Sequence, residues 1–219
     1  MELPAAPDHV EVRYLELGQI DALVQHAEPG PYQALDRVLY RMAAMTGIRE
    51  GELIALRWQD VDWTASAIRV RSNYVLKKFG SPKSKRSSRA VPMADEIAGE
   101  LDRFHKAQGE PADHLLVFPD PLEGTPLDKA ALLRRMRKAL RAAGLDPARR
   151  FHDLLHTFGT QMAAAGVPMR TLQEWMGHKD IKTTERYADY APKTRDAKLI
   201  AAAFRRPAEA PDTTLSVSA

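Results

Sequence analysis

The sequence predicts a mainly helical domain with one small antiparallel β-sheet, an α+β fold. Most of the chain carries apolar residues at the three- and four-residue spacing of amphipathic helices, whereas only the short segments 67–76 and 89–93 have the alternation or β-branched content of strands. With 219 residues, 44% of them hydrophobic, the chain can bury one core of ordinary size. We therefore expect one globular domain with short appendages.

The predicted elements follow one another along the chain, and turn-forming residues separate them. Helices are expected wherever a helical apolar period ends at a glycine or a polar turn, namely at 31–47, 49–58, 94–108, 127–144, 151–166, 169–178, 181–191 and from 194 onward. The two strands are expected to pair with each other, because Gly80, Ser81 and Pro82 between them favour a turn. Residues 206–219 lack any apolar period, which predicts a disordered tail.

Composition excludes several classes of protein. The chain has no cysteine, which excludes disulfides, thiol nucleophiles and cysteine-ligated zinc. No apolar run reaches the roughly 18 residues that a membrane helix needs, and the first residues lack the basic start and apolar centre of a signal peptide. We expect a cytoplasmic protein without a membrane partner.

Basic residues are concentrated in two blocks, although the net charge is only +3. Residues 69–89 hold eight basic and no acidic residues, and residues 134–150 hold seven basic residues against Asp146. Each block alone is compatible with a solvated surface. Two blocks within sequence that is otherwise typical of ordered structure favour the phosphate backbone of a nucleic acid as the partner.

Four motifs that combine basic, histidine and tyrosine residues occur in a fixed order: TGIREGEL (46–53), SPKSKRSSRAVPM (81–93), FHDLLHTFGT (151–160) and WMGHKDIKTTERYADY (175–190). In this order, over roughly residues 13–200, they resemble the catalytic domain of the tyrosine recombinases, the phage-type integrases. The resemblance implies the tyrosine recombinase catalytic-domain fold. It also implies site-specific recombination of double-stranded DNA, in association with the nucleoid.

The resemblance assigns a chemical role to each motif. Tyr187 would attack a DNA phosphodiester, which leaves a 3′-phosphotyrosyl link and a free 5′ hydroxyl without any cofactor or metal. Arg49, His152 and His178 would donate hydrogen bonds to the phosphate oxygens as negative charge develops on them, and His152 could also help to take the proton from Tyr187. The resemblance further implies that Glu52 supports these side chains and that Lys83 protonates the leaving 5′ oxygen, with Lys85 as the alternative lysine.

The same resemblance implies a set of further DNA contacts. They are basic residues in or near the hairpin that carries the catalytic lysine: Lys77, Lys78, Lys85, Arg86 and Arg89.

One position departs from the family pattern. Three residues after His152 the family has its second arginine, whereas this chain has Leu155. Leucine donates no hydrogen bond and carries no charge, so the departure implies impaired cleavage. An engineered change, a natural loss of activity and a natural variant that compensates are all compatible with the sequence.

Two other functions compete with recombination. Leu155 is compatible with a DNA-binding protein that keeps the integrase fold but has no catalytic activity. His152 and His156 lie one helical turn apart, as in the H-E-x-x-H motif of zinc hydrolases, although Asp153 replaces the glutamate. Outside that hypothesis, we expect His156 to have a structural role, hydrogen-bonded within the helical bundle.

The resemblance also predicts the domain organisation. Residues 1–12 would be a lead-in and 13–205 the catalytic domain, and the N-terminal DNA-clamping (core-binding) domain of the family is expected to be absent. We expect a monomer without DNA and a tetramer on paired recombination sites.

Overall fold

A computed structural model describes residues 12–80 and 88–191 of the chain. In these ranges the helices are α1 (Leu17–Gln25), α2 (Gln33–Thr46), α3 (Glu50–Ile54), α4 (Asp95–Ala107), α5 (Lys129–Ala142), α6 (Phe151–Ala164), α7 (Met169–Met176) and α8 (Lys182–Glu185). The strands are β1 (Val61–Asp62), β2 (Ala67–Val70), β3 (Asn73–Val75), β4 (Lys78–Gly80) and β5 (Arg89–Pro92). The predicted fold class, mainly helical with a small antiparallel sheet, is confirmed.

Helix α2 lies at the centre of the core and packs against α1, α4 and α6. It ends at Gly47, whose φ of 63° is a left-handed conformation that favours glycine. A Cβ atom at Gly47 would lie only 2.4 Å from Cδ1 of Phe158 on α6. The end of α2 therefore meets α6 directly, and the chain that follows Gly47 begins α3 beside α6.

The strands form one small sheet and a separate hairpin. Strand β2 pairs antiparallel with β1 and with β5, and Ile68 lies opposite Val91. Pairing of 67–70 with 89–92 agrees with the prediction. The expected continuation of the first strand to residue 76 is wrong, because β3 and β4 pair with each other and the chain turns at Leu76 and Lys77.

Two helical predictions also need correction. Helix α1, which buries Ile20, Leu23 and Val24, was not predicted. The helix expected over 181–191 is interrupted, since α8 ends at Glu185 and a short 3₁₀ turn (Ala188–Tyr190) follows. The predicted final helix and tail lie outside the described residues.

Two residues of the second basic block form ion pairs within the fold. Arg135 is largely buried, and its guanidinium donates two hydrogen bonds, of 2.6 and 3.0 Å, to the buried carboxylate of Asp36. Lys138 pairs with Glu28 at 2.9 Å. These contacts neutralise charge that the sequence analysis attributed to phosphate binding.

Helices long and apolar enough to cross a bilayer do not occur in the part of the chain that the structure describes.

Candidate active site

Arg49 is fixed by two partners that come from distant parts of the chain. It is the N-cap residue that precedes α3, and its Nη1 donates to Glu52 Oε1 at 3.1 Å, within the first turn of that helix. Its Nη2 donates to the carbonyl oxygen of Gly177 at 2.9 Å. The side chain remains 37% exposed. Arg49 is therefore positioned by the fold and still accessible to an anion.

Glu52 links Arg49 to a second arginine, Arg89 on β5. Nη1 and Nη2 of Arg89 donate to the two carboxylate oxygens at 3.0 and 2.8 Å, and Nε donates to the Trp175 carbonyl at 2.6 Å. Burial opposes ionisation of Glu52, but the hydrogen bonds and charge of Arg89, and then Arg49, outweigh it and lower the pKa of the carboxyl. The carboxylate is therefore ionised and holds both guanidinium groups.

The placement of Arg89 does not fit the surface DNA contact that the sequence analysis assigned to it. Its side chain is only 6% exposed, and three of its five N–H donors are used by the carboxylate of Glu52 and the Trp175 carbonyl. Its position in a basic segment suggested a solvated side chain, but the buried carboxylate was the stronger partner. Arg89 supports Glu52, and the DNA contact assigned to it stays a prediction.

His152 lies on the first turn of α6 and, together with Arg49, lines a cleft of about 430 Å³. Ser72, Asn73 and Lys129 line the same cleft. Desolvation, and then the charge of Arg150, lower the pKa of His152. The structure thus brings His152 and Arg49 to one opening.

His178 is placed by the turn that ends α7. Gly177 has a φ of 63°, and a Cβ there would lie 2.8 Å from Nη1 of Arg89, so both conformation and space favour glycine. Nδ1 of His178 is hydrogen-bonded to Thr184 Oγ1 at 2.9 Å. Burial, and then the charge of Arg49, lower the pKa of His178 to about 4.

Tyr187 is fully buried, and its ring lies on the backbone of α6. A Cβ at Gly159 would lie 2.5 Å from Cζ of Tyr187, so only glycine leaves room for the ring. The hydroxyl is 2.7 Å from Nδ1 of His156. Burial raises the pKa of Tyr187, and the nearby charges of Arg186 and Arg49 partly oppose that increase.

His156 is the site residue whose contact the sequence analysis missed. It is buried and hydrogen-bonded, as expected of a structural residue, but its partner is the hydroxyl of Tyr187. Burial, followed by the neighbouring His152, lowers the pKa of His156 to about 4, so the ring is neutral near pH 7. The four-residue spacing from His152 was the available indication, because it places both rings on one face of α6.

Leu155 is 2% exposed and belongs to a small hydrophobic cluster with Tyr187. The other buried members are Phe158, Ala163, Leu172 and Met176. Position 155 therefore contributes packing next to the tyrosine, where the family has a guanidinium.

The remaining predicted DNA contacts fall into two groups. Lys77 and Lys78 are exposed at the β3–β4 turn. Lys83, Lys85 and Arg86 lie outside the described residues, so the choice of catalytic lysine stays a prediction.

Residues 12–80 and 88–191 do not provide the set of ligands that the zinc-hydrolase hypothesis requires. His152 and His156 have ring centroids 4.7 Å apart. Within those ranges, however, no group of three or more histidine and acidic side chains could hold a metal ion.

The fold and the cluster around Tyr187 can be compared with known proteins. Residues 13–194 match the phage integrase family, and the chain belongs to this family as a tyrosine recombinase catalytic domain. It is 30% identical, over 184 residues, to a tyrosine recombinase XerC-like protein of Caldanaerobacter subterraneus subsp. tengcongensis. That alignment covers 73% of this chain and 46% of the relative, so the chain spans about half the length of this curated relative.

Solved structures agree with the family assignment. The XerA recombinase is 25% identical with a TM-score of 0.66, and the match covers 94% of this chain and 68% of that one. The Tn1549 transposon integrase, solved with circular intermediate DNA, has a TM-score of 0.67 at 21% identity and covers 90% of this chain and 67% of its own. The second likeness shows a shared fold.

Proposed function

We propose that this chain cleaves and rejoins one strand of double-stranded DNA, with Tyr187 as the nucleophile, in site-specific recombination. The observation that carries the proposal is the placement of Tyr187. Its hydroxyl is hydrogen-bonded to a neutral histidine, and the charge of Arg49 acts on it and on both His152 and His178. The Tn1549 integrase, which shares this fold, was solved in complex with DNA.

Cleavage exchanges one phosphoester bond for another. The Tyr187 oxygen forms a bond to phosphorus while the bond to the 5′ oxygen breaks, which leaves a 3′-phosphotyrosyl link and a 5′ hydroxyl. Because the pKa of Tyr187 is raised, the hydroxyl needs a base, and His156 can accept its proton in the tautomer whose Nδ1 is unprotonated. Lys83 donates the proton that the leaving 5′ oxygen requires.

Arg49, His152 and His178 stabilise the negative charge on the non-bridging oxygens. Glu52 fixes Arg49 in advance, so little reorganisation is needed when that charge develops. Neutral histidines can donate a single hydrogen bond each, which fits the low pKa of His178. No cofactor or metal takes part in the proposed step.

Leu155 should slow this step without preventing DNA binding. Losing one preorganised donor to a developing oxyanion costs on the order of 100-fold in rate, and Leu155 can offer neither charge nor hydrogen bond. Lys77 and Lys78, with Lys85 and Arg86, supply phosphate contacts that do not depend on position 155. Binding by such contacts falls steeply as salt increases.

The second candidate is an integrase-like DNA-binding protein without catalytic activity. Two observations favour it: Leu155 is packed into the apolar cluster, and Tyr187 is buried. In both cases we expect a monomer without DNA, and for an active protein a tetramer on paired sites.

The test is capture of a covalent protein–DNA adduct. The probe is a library of nicked duplexes with a randomised central sequence, in which cleavage releases a short fragment and traps the protein. Selection with the Leu155→Arg variant would identify a cleaved sequence for use with all other variants. An adduct that Tyr187→Phe abolishes supports the proposal, whereas DNA binding without any adduct supports the inactive alternative.

A further inference from the structure

We propose that Arg186 supplies part of the cationic contact to the scissile phosphate that Leu155 cannot make. This inference rests on the proposed function, since it assigns a further catalytic residue to cleavage by Tyr187. In the proposed cleavage by Tyr187, Arg186 binds a non-bridging oxygen of the scissile phosphate. It neither gives nor takes a proton.

The backbone around Arg186 is fixed to the site on both sides. Two residues earlier, Thr184 is hydrogen-bonded to Nδ1 of His178 at 2.9 Å. One residue later, Tyr187 is hydrogen-bonded to Nδ1 of His156 at 2.7 Å. The segment that carries Arg186 therefore joins the two site histidines. Arg186 itself is exposed, so its guanidinium can meet an anion from solvent without disturbing the core.

The electrostatic environment agrees with this position. Burial is the main cause of the pKa shift at each of four groups, and the charge of Arg186 also contributes to each by lowering the pKa. The four groups are His152, His156, His178 and Tyr187, which come from α6, the turn after α7 and the segment after α8. The charge of Arg186 therefore lies close enough to all four groups to act on each of them.

The other arginines near the site are less suited to the role. Arg89 is buried, and three of its N–H donors are used by Glu52 and the Trp175 carbonyl. Arg149 donates to the Tyr14 carbonyl at 2.6 Å. Arg150 lies 3.6 Å from Asp153, and its charge contributes to the pKa shifts of His152 and His156 but not to that of Tyr187.

A double-mutant cycle tests the proposal with the selected nicked duplex. Arg186→Gln should reduce the adduct rate of the chain with Leu155 by about 10-fold. This loss is smaller than the loss of a preorganised clamp would cause, because the Arg186 side chain is exposed. In the Leu155→Arg variant the same change should cost less than about 3-fold, because two contacts to one phosphate are not additive. Arg186→Lys should keep part of the rate. Arg103→Gln, an equal charge change on the exposed face of α4, is the matched control.

A second measurement does not depend on cleavage. Inorganic phosphate is titrated at low ionic strength while the ring protons of His152 and His178 are followed by NMR. Arg186→Gln should weaken phosphate binding about 10-fold, the effect expected for one charge-assisted contact, and Arg103→Gln should leave it unchanged. The proposal would be overturned if Arg186→Gln reduced the adduct rate equally in the chain with Leu155 and in the Leu155→Arg variant. It would also be overturned if Arg186→Gln left phosphate binding unchanged. Absence of any adduct would instead refute the proposed function, and the titration would still decide the role of Arg186.

Discussion

The two sides of the candidate site are built from different interactions. On one side, Arg49, Glu52 and Arg89 form a hydrogen-bonded ionic network that reaches the carbonyl of Gly177. On the other side, Tyr187 and Leu155 lie in an apolar cluster, and the His156 hydrogen bond fixes the tyrosine hydroxyl. The first side holds cationic groups in place for an anion, whereas the second holds Tyr187 in place by apolar packing.

This difference means that the site positions Tyr187 and provides positive charge through separate interactions. Tyr187 is held by apolar contacts and one hydrogen bond, so a leucine at position 155 is compatible with its placement. The same leucine removes positive charge from the site, and charge is what stabilises the transition state. A substitution on the ionic side should therefore disturb folding and catalysis together, whereas Leu155 should affect catalysis alone.

The largest stability effect is expected for Glu52→Gln. Removing the carboxylate leaves the buried guanidinium of Arg89 without its counterion, which should destabilise the fold by about 3–5 kcal/mol. Urea unfolding would measure the loss. Glu50→Gln is the control on the same helix, because Glu50 pairs with Lys129 at 3.6 Å near the surface. A loss of similar size in both variants would contradict the network.

A smaller effect is expected on the apolar side, for Gly159→Ala. The new methyl group would overlap the ring of Tyr187, and such overpacking should cost about 1–3 kcal/mol. Tyr187→Ala in the same chain should remove most of that cost. Gly99→Ala on α4 meets only Arg103 Nη1 at 3.5 Å and should be neutral or stabilising. If Tyr187→Ala leaves the cost of Gly159→Ala unchanged, the ring does not pack where the structure has it.

A third expected effect is a pH dependence of stability that both sides share through their histidines. The pKa values of His156 and His178 fall from 6.5 to about 4 on folding, so the unfolded chain binds more protons between these values. Stability should therefore decrease as pH falls from 6.5 toward 4. Unfolding curves measured between pH 6.5 and 4 should show a smaller decrease in the free energy of unfolding for His156→Gln than for the unchanged chain. An unchanged slope would mean that His156 does not titrate differently in the folded state.

Local elements could be predicted from the sequence where their period was clear. Helix α6 was predicted because its apolar spacing is regular, and the turn after α7 because Gly177 ends that helix. The β3–β4 hairpin was missed because its turn residues, Leu76 and Lys77, are not the Asn and Gly that such turns favour. The interruption after α8 has no breaking residue to reveal it.

The site could be predicted only as a set of motifs. Arg49, His152, His178 and Tyr187 stood out through their spacing and order. The contacts that organise them join residues far apart in sequence, as between Glu52 and Arg89 or between His156 and Tyr187. Such contacts depend on tertiary packing, which no local pattern encodes, and this is why the Glu52 contact of Arg89 and the Tyr187 contact of His156 were not predicted.

The most direct test of the account is the rate of covalent attachment to the selected nicked duplex, with the chain as written compared with Leu155→Arg. We expect the variant to form the 3′-phosphotyrosyl adduct about 100-fold faster, because it gains a preorganised charged donor, while its DNA affinity changes by no more than about 10-fold. Tyr187→Phe in the same variant should abolish the adduct. If the chain with Leu155 already cleaves as fast as Leu155→Arg, position 155 does not limit catalysis, and the central claim is wrong.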